Sequence, residues 1–405
     1  MAGKIIRVVW LCHFINGDLN RYFGIERKEL SRWMDQFMNI VRGSGSIEIH
    51  VVAPNYWTHD DCVIQRDNII FHLYRFRMFN VTRLGVLEQL FTHERYVRKK
   101  VKQVIDAIKP DIIHLFGSEN MDYSCGVLNY IHNENVVITI QGFVNDTPDR
   151  QRFPRSMVLN YRKRLESIIN STMTKFTMGY NRVAKERFQR HYPNVKTIYT
   201  LKFPTTIPCY RSGIDKKYDI VFWGRVCREK GFIDLLDALH LLKKKGLSCS
   251  LLVIGKLENA SSDEIVRKVH EYDMSESICF AGFFASLDEM FIRAQEGRIY
   301  VLPTHYDGMP GSVREAMHLK IPVITTPVGA LSQININKRC VILTPVSDIE
   351  SLSNNIANLL ADNELAAELA ENAYEYACEN FTNSDIYEQL MYIYNDVMEQ
   401  HGKNT

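Results

Sequence analysis

Twice along this chain, short apolar runs alternate with longer stretches of helical period, and that repeated alternation limits the folds open to it more than any other feature. In the first half, runs at 5–12, 47–53, 69–76, 112–116, 136–140 and 176–178 read as strands, with helices near 25–42, 83–108, 121–132, 156–168 and 182–191. The second series has strands at 219–223, 250–254, 278–281, 299–302, 323–325 and 341–343, with helices near 231–245, 262–272, 286–296 and 312–319. A helical tail covers 348–399. Between the two series the period lapses at 202–214 into a turn-rich segment that reads as a linker. Strands separated by helices build βαβ units and parallel sheets, and 405 residues are too many for one ordinary core. The expectation is an α/β chain of two doubly wound domains, 1–205 and 206–380, closed by a helix within 381–405.

In such sheets ligands gather at the carboxyl ends of the strands, so the loops there carry the candidate chemistry. One of them, 304–317, reads Thr-His-Tyr-Asp-Gly-Met-Pro-Gly-Ser-Val-Arg-Glu-Ala-Met. Gly308 and Gly311 permit left-handed backbone around Met309, and Pro310 stiffens the turn. The N–H groups that open the next helix favour an anion or an oxygen-rich ligand, and Asp307 and Glu315 bracket them. Ser312 and Glu315 also fit a capping box, which is a purely structural alternative. A second loop, Gly224-Arg225-Val226-Cys227-Arg228-Glu229-Lys230-Gly231, sets cations between glycines after the first strand of the second series, a phosphate-cradling position. Gly255 and Gly282 end two further strands. In the first half, the strand-end candidates are His13, Gly17, His114 and Gln141.

Several classes are excluded. No G-x-G-x-x-G follows the first strand, which argues against a nicotinamide-dependent dehydrogenase, and loop 224–231 lacks the Gly-Lys-Ser/Thr ending of a Walker loop. The nine cysteines are scattered without a Cys-x-x-Cys pair, so neither a disulfide framework nor a zinc site is expected. No apolar stretch nears the roughly 20 residues that cross a bilayer, and the amino-terminal run has no cleavage pattern, so a cytoplasmic chain that at most touches a membrane is expected. Residues 1–200 hold 29 Lys/Arg against 19 Asp/Glu, and the remainder 20 against 28. A basic first half suits anionic lipid or a phosphorylated acceptor, above all along 95–102 and 150–164, where Phe153, Met157, Leu159 and Tyr161 interleave the cations. Nucleic acid is not among the expected partners.

The acid, the Gly-Met-Pro turn and the second acid of 307–315, followed by Ile-Pro-Val-Ile-Thr-Thr at 321–326, resemble the E-x7-E signature of retaining GT-B glycosyltransferases of family-4 type, the glycosyl transferases group 1. The Gly-Arg…Lys-Gly element at 224–231 and the segments 109–117 and 136–142 resemble the same family. The resemblance implies two Rossmann-like domains facing across a cleft, the first binding a saccharide or lipid-linked acceptor and the second a UDP- or GDP-linked sugar. Its last helix would cross back to the first domain. Arg225 and Lys230 would contact the diphosphate, Glu315 the ribose and Asp307 the donor sugar. Gly224, Gly255, Gly282, Gly308, Met309, Pro310 and Gly311 would line the donor, and His13, Gly17, His114 and Gln141 the acceptor side. No Asp-x-Asp occurs in the chain, so neither a metal nor another cofactor is expected. Gln141 stands where the family commonly has His, and an amide cannot be a general base. The expected activity is transfer with retention of configuration, in bacterial polysaccharide synthesis. Its rivals are a GT-B nucleotide-sugar 2-epimerase and a non-catalytic nucleotide-sugar-binding partner.

Overall fold

Every residue of Ile6–Leu11 (β1) except Arg7 is buried, as a strand covered on both faces must be. The computed structural model describes residues 5–25, 32–75, 86–146, 155–179, 182–284 and 286–402. The expected helix starts at 26–31 and 83–85, and Phe153 with the rest of 150–154, lie outside the described residues.

The chain divides into two units, one of Met1–Pro204 with Asn383–Thr405, the other of Thr205–Thr382. In the first, β1 is followed by α1 (Gly17–Phe23), α2 (Arg32–Val41), β2 (Ile47–Asn55), β3 (Cys62–Arg66), β4 (Ile69–Arg75), α3 (Val86–Ile108), β5 (Ile112–Phe116), β6 (Val136–Thr139), α4 (Arg155–Thr172), β7 (Lys175–Met178), α5 (Arg182–His191) and β8 (Thr197–Thr200). The eight strands lie in the order β3-β4-β2-β1-β5-β6-β7-β8. All neighbours pair in parallel except β3, which folds back on β4. Strands β3 and β8 escape the apolar-run reading because each buries a single residue, as edge strands do. Helix α1 escapes it as well: it is one short segment capped by Asn16, whose side chain accepts from the Leu19 amide at 2.8 Å. The helix expected at 121–132 is instead a 3-10 turn at Ser124–Tyr130.

The second unit runs β9 (Tyr218–Trp223), α6 (Phe232–Lys244), β10 (Leu251–Ile254), α7 (Asn259–Glu271), β11 (Ile278–Gly282), α8 (Leu287–Ala294), β12 (Gly297–Leu302), α9 (Gly311–His318), β13 (Val323–Thr325), β14 (Ile342–Leu343), α10 (Ile349–Ala361) and α11 (Asn363–Asn380). Its six parallel strands lie in the order β11-β10-β9-β12-β13-β14. The central strands are apolar runs buried at almost every position, around which one core forms.

The last helix, α12 (Ile386–Gly402), belongs to the first unit and buries Ile386, Leu390, Ile393, Tyr394 and Val397 there. Its Tyr394 hydroxyl accepts from the Trp10 indole at 2.9 Å and meets His114 Nδ1 at 2.8 Å. The other ring nitrogen of His114 meets Thr139 Oγ1 at 2.6 Å. Burial pushes the His114 pKa down to about 3, so the ring is neutral and serves the packing of α12. Lys202, paired with Asp385 at 2.7 Å, and Tyr199, donating to Asp396 at 2.6 Å, fasten the same helix.

Candidate active site

In the second unit the strand order reverses at β9, with β10 and β11 on one side and β12, β13 and β14 on the other. The loops after β9 and β12 leave the sheet side by side there, at the switch point of strand order where doubly wound sheets bind their ligands. They are also bonded together. Glu229 O accepts from His305 N at 2.9 Å and from the Thr304 hydroxyl at 3.2 Å. His305 Nε2 lies 2.7 Å from Asp234 Oδ2, at the start of α6. Gly231 has φ 72°, and a Cβ on it would fall 1.9 Å from the Pro303 carbonyl oxygen, so the two loops approach as closely as only glycine permits. Across this seam, Lys230 Nζ and Asp307 Oδ2 form a half-buried ion pair.

Beside that pair runs a strip of bare backbone. A Cβ on Gly255 would lie 1.9 Å from Gly224 O, and Gly255 N donates to Gly282 O at 2.8 Å. The ends of β9, β10 and β11 therefore present peptide groups rather than side chains, as a ligand that lies flat on the sheet edge requires. Arg225, at the start of the loop, is exposed and pairs with Glu258 at 2.7 Å, while Arg228 pairs with Glu264. With Lys230 on Asp307, each of the three loop cations holds a carboxylate.

Helix α9 begins at Gly311 with Pro310 at its N-cap, and no side chain makes the cap bond. Ser312 is thus inside the helix, with its hydroxyl on Tyr300, and the Ser312–Glu315 capping box does not form. Glu315 Oε2 instead accepts from the Trp223 indole N–H at 2.9 Å, which ties the carboxylate to the end of β9. Gly308 and Gly311 are not in the left-handed region, contrary to expectation. Their turn is held from outside, by Ala330 N donating to Gly308 O at 2.8 Å and Thr326 Oγ1 donating to Thr304 O at 2.5 Å. Met309 packs half-buried on the core, and Pro310 is buried. Trp223, His305 and Asp234 are the members of this constellation that the sequence reading missed. His305 adjoins Asp307 in the motif, but its partner is 71 residues away, and nothing local marks it.

Among the described residues, one group could share a metal ion: Cys227, Glu229 and Glu258, whose ligand atoms lie within 4.8 Å of one another. It is a poor metal site. Burial pushes the Cys227 thiol up to about 11, and Arg225 already occupies Glu258.

On the first unit, His13 is half-buried with its ring 5.1 Å from that of Tyr56, Gly17 opens α1, and Gln141 is exposed just past β6. His114, an acceptor-side candidate by sequence, is an interior residue with both nitrogens engaged.

Residues 211–376, which include all of this second-unit constellation, match the family described as Glycosyl transferases group 1. The chain is similar to the capsular polysaccharide biosynthesis glycosyltransferase CapM of Staphylococcus aureus, 26% identical over 196 residues, or 48% of this chain and 50% of that protein. It is 22% identical to the alpha-D-kanosaminyltransferase of Streptomyces kanamyceticus over 46% of this chain and 48% of that one. The alignments thus span about half the length of these curated relatives. Similar structures include sucrose-phosphate synthase from Thermosynechococcus elongatus, at TM-score 0.72, 17% identity and coverage of 98% of this chain and 100% of that one. HepE of Anabaena, solved with UDP and glucose, follows at TM-score 0.65, 13% identity and coverage of 96% and 99%. The region that holds the site, residues 211–376, thus matches the glycosyl transferases group 1, and the two parallel-sheet units share the GT-B fold of these structures.

Proposed function

We propose that this chain transfers a sugar from a UDP- or GDP-linked donor, with retention of configuration and without a metal, to a saccharide or lipid-linked saccharide acceptor in bacterial polysaccharide synthesis. The observation that carries this reading is the convergence of Lys230, Asp307 and the Trp223-held Glu315 beside the bare backbone of Gly224, Gly255 and Gly282. A diphosphate needs cations and free N–H groups; Arg225 and Lys230 supply the first, and the start of α9, which no side chain caps, supplies the second. Glu315 takes the ribose hydroxyls and Asp307 the hydroxyls of the sugar, while Arg225 and Lys230 exchange their carboxylates for the leaving diphosphate as its charge grows. The first unit takes the acceptor. HepE, crystallised with UDP and glucose, supports a nucleotide-sugar donor, and CapM supports a polysaccharide pathway.

Calorimetry with a panel of UDP-, GDP- and ADP-sugars, followed by product analysis, tests this. Saturable binding of one donor and a glycoside product of unchanged anomeric configuration are expected. Donor consumed without an acceptor would favour the epimerase, and binding without turnover the non-catalytic partner. Glu315→Gln should keep the indole bond through its amide oxygen, yet weaken donor binding by roughly 1–3 kcal/mol with the melting temperature unchanged. Turnover should persist in EDTA. Activity lost to chelator and restored by Mg²⁺ or Mn²⁺ would overturn the metal-free route.

The same reading places the protein in the cytoplasm, at the inner face of the membrane. Among the described residues no helix is long and apolar enough to cross a bilayer. The two basic segments meet, however: Arg95 and Arg98 of α3 and Tyr161 and Arg164 of α4 line one cavity of about 400 Å³ with the apolar Leu128, Leu165 and Ile168, and the single acid in that lining, Glu94, is held by Arg98 at 3.8 Å and by the Tyr161 hydroxyl at 3.1 Å. Guanidinium groups over an apolar floor suit an anionic lipid headgroup. Co-sedimentation with phosphatidylglycerol vesicles at low salt is expected, and absence of binding there would remove the membrane from the proposal.

A further inference from the structure

The loop after β5 carries a carboxyl group, that of Glu119, which the fold satisfies through the Glu119 and Ser118 amides but leaves with one oxygen unpartnered. Its backbone is well fixed: Ser124 Oγ donates to Gly117 O at 2.7 Å, Arg162 Nε donates to Glu119 O at 3.2 Å, and the Asn120 amide donates to Ser124 Oγ at 3.1 Å. Glu119 Oε2 and the neighbouring Ser118 Oγ are nonetheless closed off from water with no hydrogen-bond partner. Glu166, the other acid of this region, shows the contrast. Its carboxylate accepts from the Val144 amide at 3.1 Å and the Asn145 amide at 2.8 Å, and so fixes the loop that begins at Gln141. Gly117 lies between the two loops with φ 85°, and the point where its Cβ would stand is 3.1 and 3.3 Å from the Glu119 carboxylate oxygens and 3.3 Å from Gln141 Nε2. Carboxyl and amide are therefore gathered over one bare glycine, at the carboxyl ends of β5 and β6, where a doubly wound unit binds its ligand.

Resting on the reading of the first unit as the acceptor-binding one, we propose that Glu119 and Gln141 together bind neighbouring hydroxyl groups of the acceptor sugar. An amide donates and accepts while a carboxyl group completes the complementary bond, which is the pairing that vicinal hydroxyls need. The acceptor group recognised here is uncharged: Glu119 disfavours an anion, and the Arg162 guanidinium beside it disfavours a cation. Gln141 thus has a role that an imidazole's basicity does not define. A buried polar group lacking its partner is what a site shaped for an absent ligand leaves behind. Burial raises the Glu119 pKa, with the Glu119 and Ser118 amides and Arg162 acting against it, so the protonated form is more available there than in water.

The test uses the full chain, UDP as the probe of the donor unit and p-nitrophenyl hexopyranosides as acceptor probes. Wild type should bind UDP and one or more of the glycosides. Glu119→Ala and Gln141→Ala should each weaken glycoside binding about tenfold or more with UDP affinity unchanged, and Glu119→Gln, which still offers a hydrogen bond, should recover part of the loss. Equal glycoside affinity in wild type and both alanine variants would overturn the proposal alone, as would a wild type that binds UDP and none of the glycosides. A wild type without affinity for UDP or any nucleotide-sugar would instead remove the transferase reading, and this inference with it.

Discussion

Lys230→Ala is expected to lower kcat on the order of a hundredfold, and donor affinity by a smaller factor. Lys230 is the loop cation that bridges the two site loops, and its partner in the free protein is Asp307. When donor binds, the ammonium exchanges part of that partnership for the diphosphate, whose charge grows as the glycosidic bond lengthens. Its stabilisation is therefore greater in the transition state than in the ground state, and the loss falls on turnover first. Removing it also leaves Asp307 half-buried without its cation, so a modest drop in melting temperature should accompany the kinetic loss. Single-turnover rates and donor titrations of the two proteins, compared below the variant's melting range, separate these effects. A variant with near-normal kcat would show that 224–231 and 307–315 are joined for stability only.

The second large effect concerns the seam between the loops. Gly231→Ala should destabilise the second unit by roughly 2–5 kcal/mol, from the left-handed backbone and the overpacking together. The methyl group has nowhere to go, because the atom it meets is the Pro303 backbone oxygen and not a side-chain tip. Gly246→Ala provides the control, since Gly246 is also left-handed, at φ 86°, but its Cβ would meet nothing within 4 Å. It should show the conformational cost alone, about 1–2 kcal/mol. Thermal melts of both variants decide this, and equal shifts would mean that the loops can separate at little cost.

The alternation of apolar runs with helical stretches was sufficient to determine parallel α/β sheets, because a strand buried on both faces must be apolar throughout and shows its length in the sequence. The central strands β1, β2, β5, β9, β10 and β12 were legible for that reason. The edge strands β3 and β8 were not, since a half-covered strand needs few apolar residues. Spacing also marked the acids and cations of 224–231 and 307–315, whose local order follows from chain direction at a strand end. What the local sequence could not decide is which of two structural uses a polar residue serves. Ser312 and Glu315 have the spacing of a capping box, yet Pro310 takes the N-cap, and Trp223, 92 residues from Glu315, takes the carboxylate. His114 reads by sequence as a strand-end ligand group, yet it is the middle residue of β5, and Tyr394, 280 residues away, bonds it in the interior. A hydrogen bond forms between whichever donor and acceptor the packing brings within about 3 Å. For groups far apart in the chain, only the tertiary structure sets that distance.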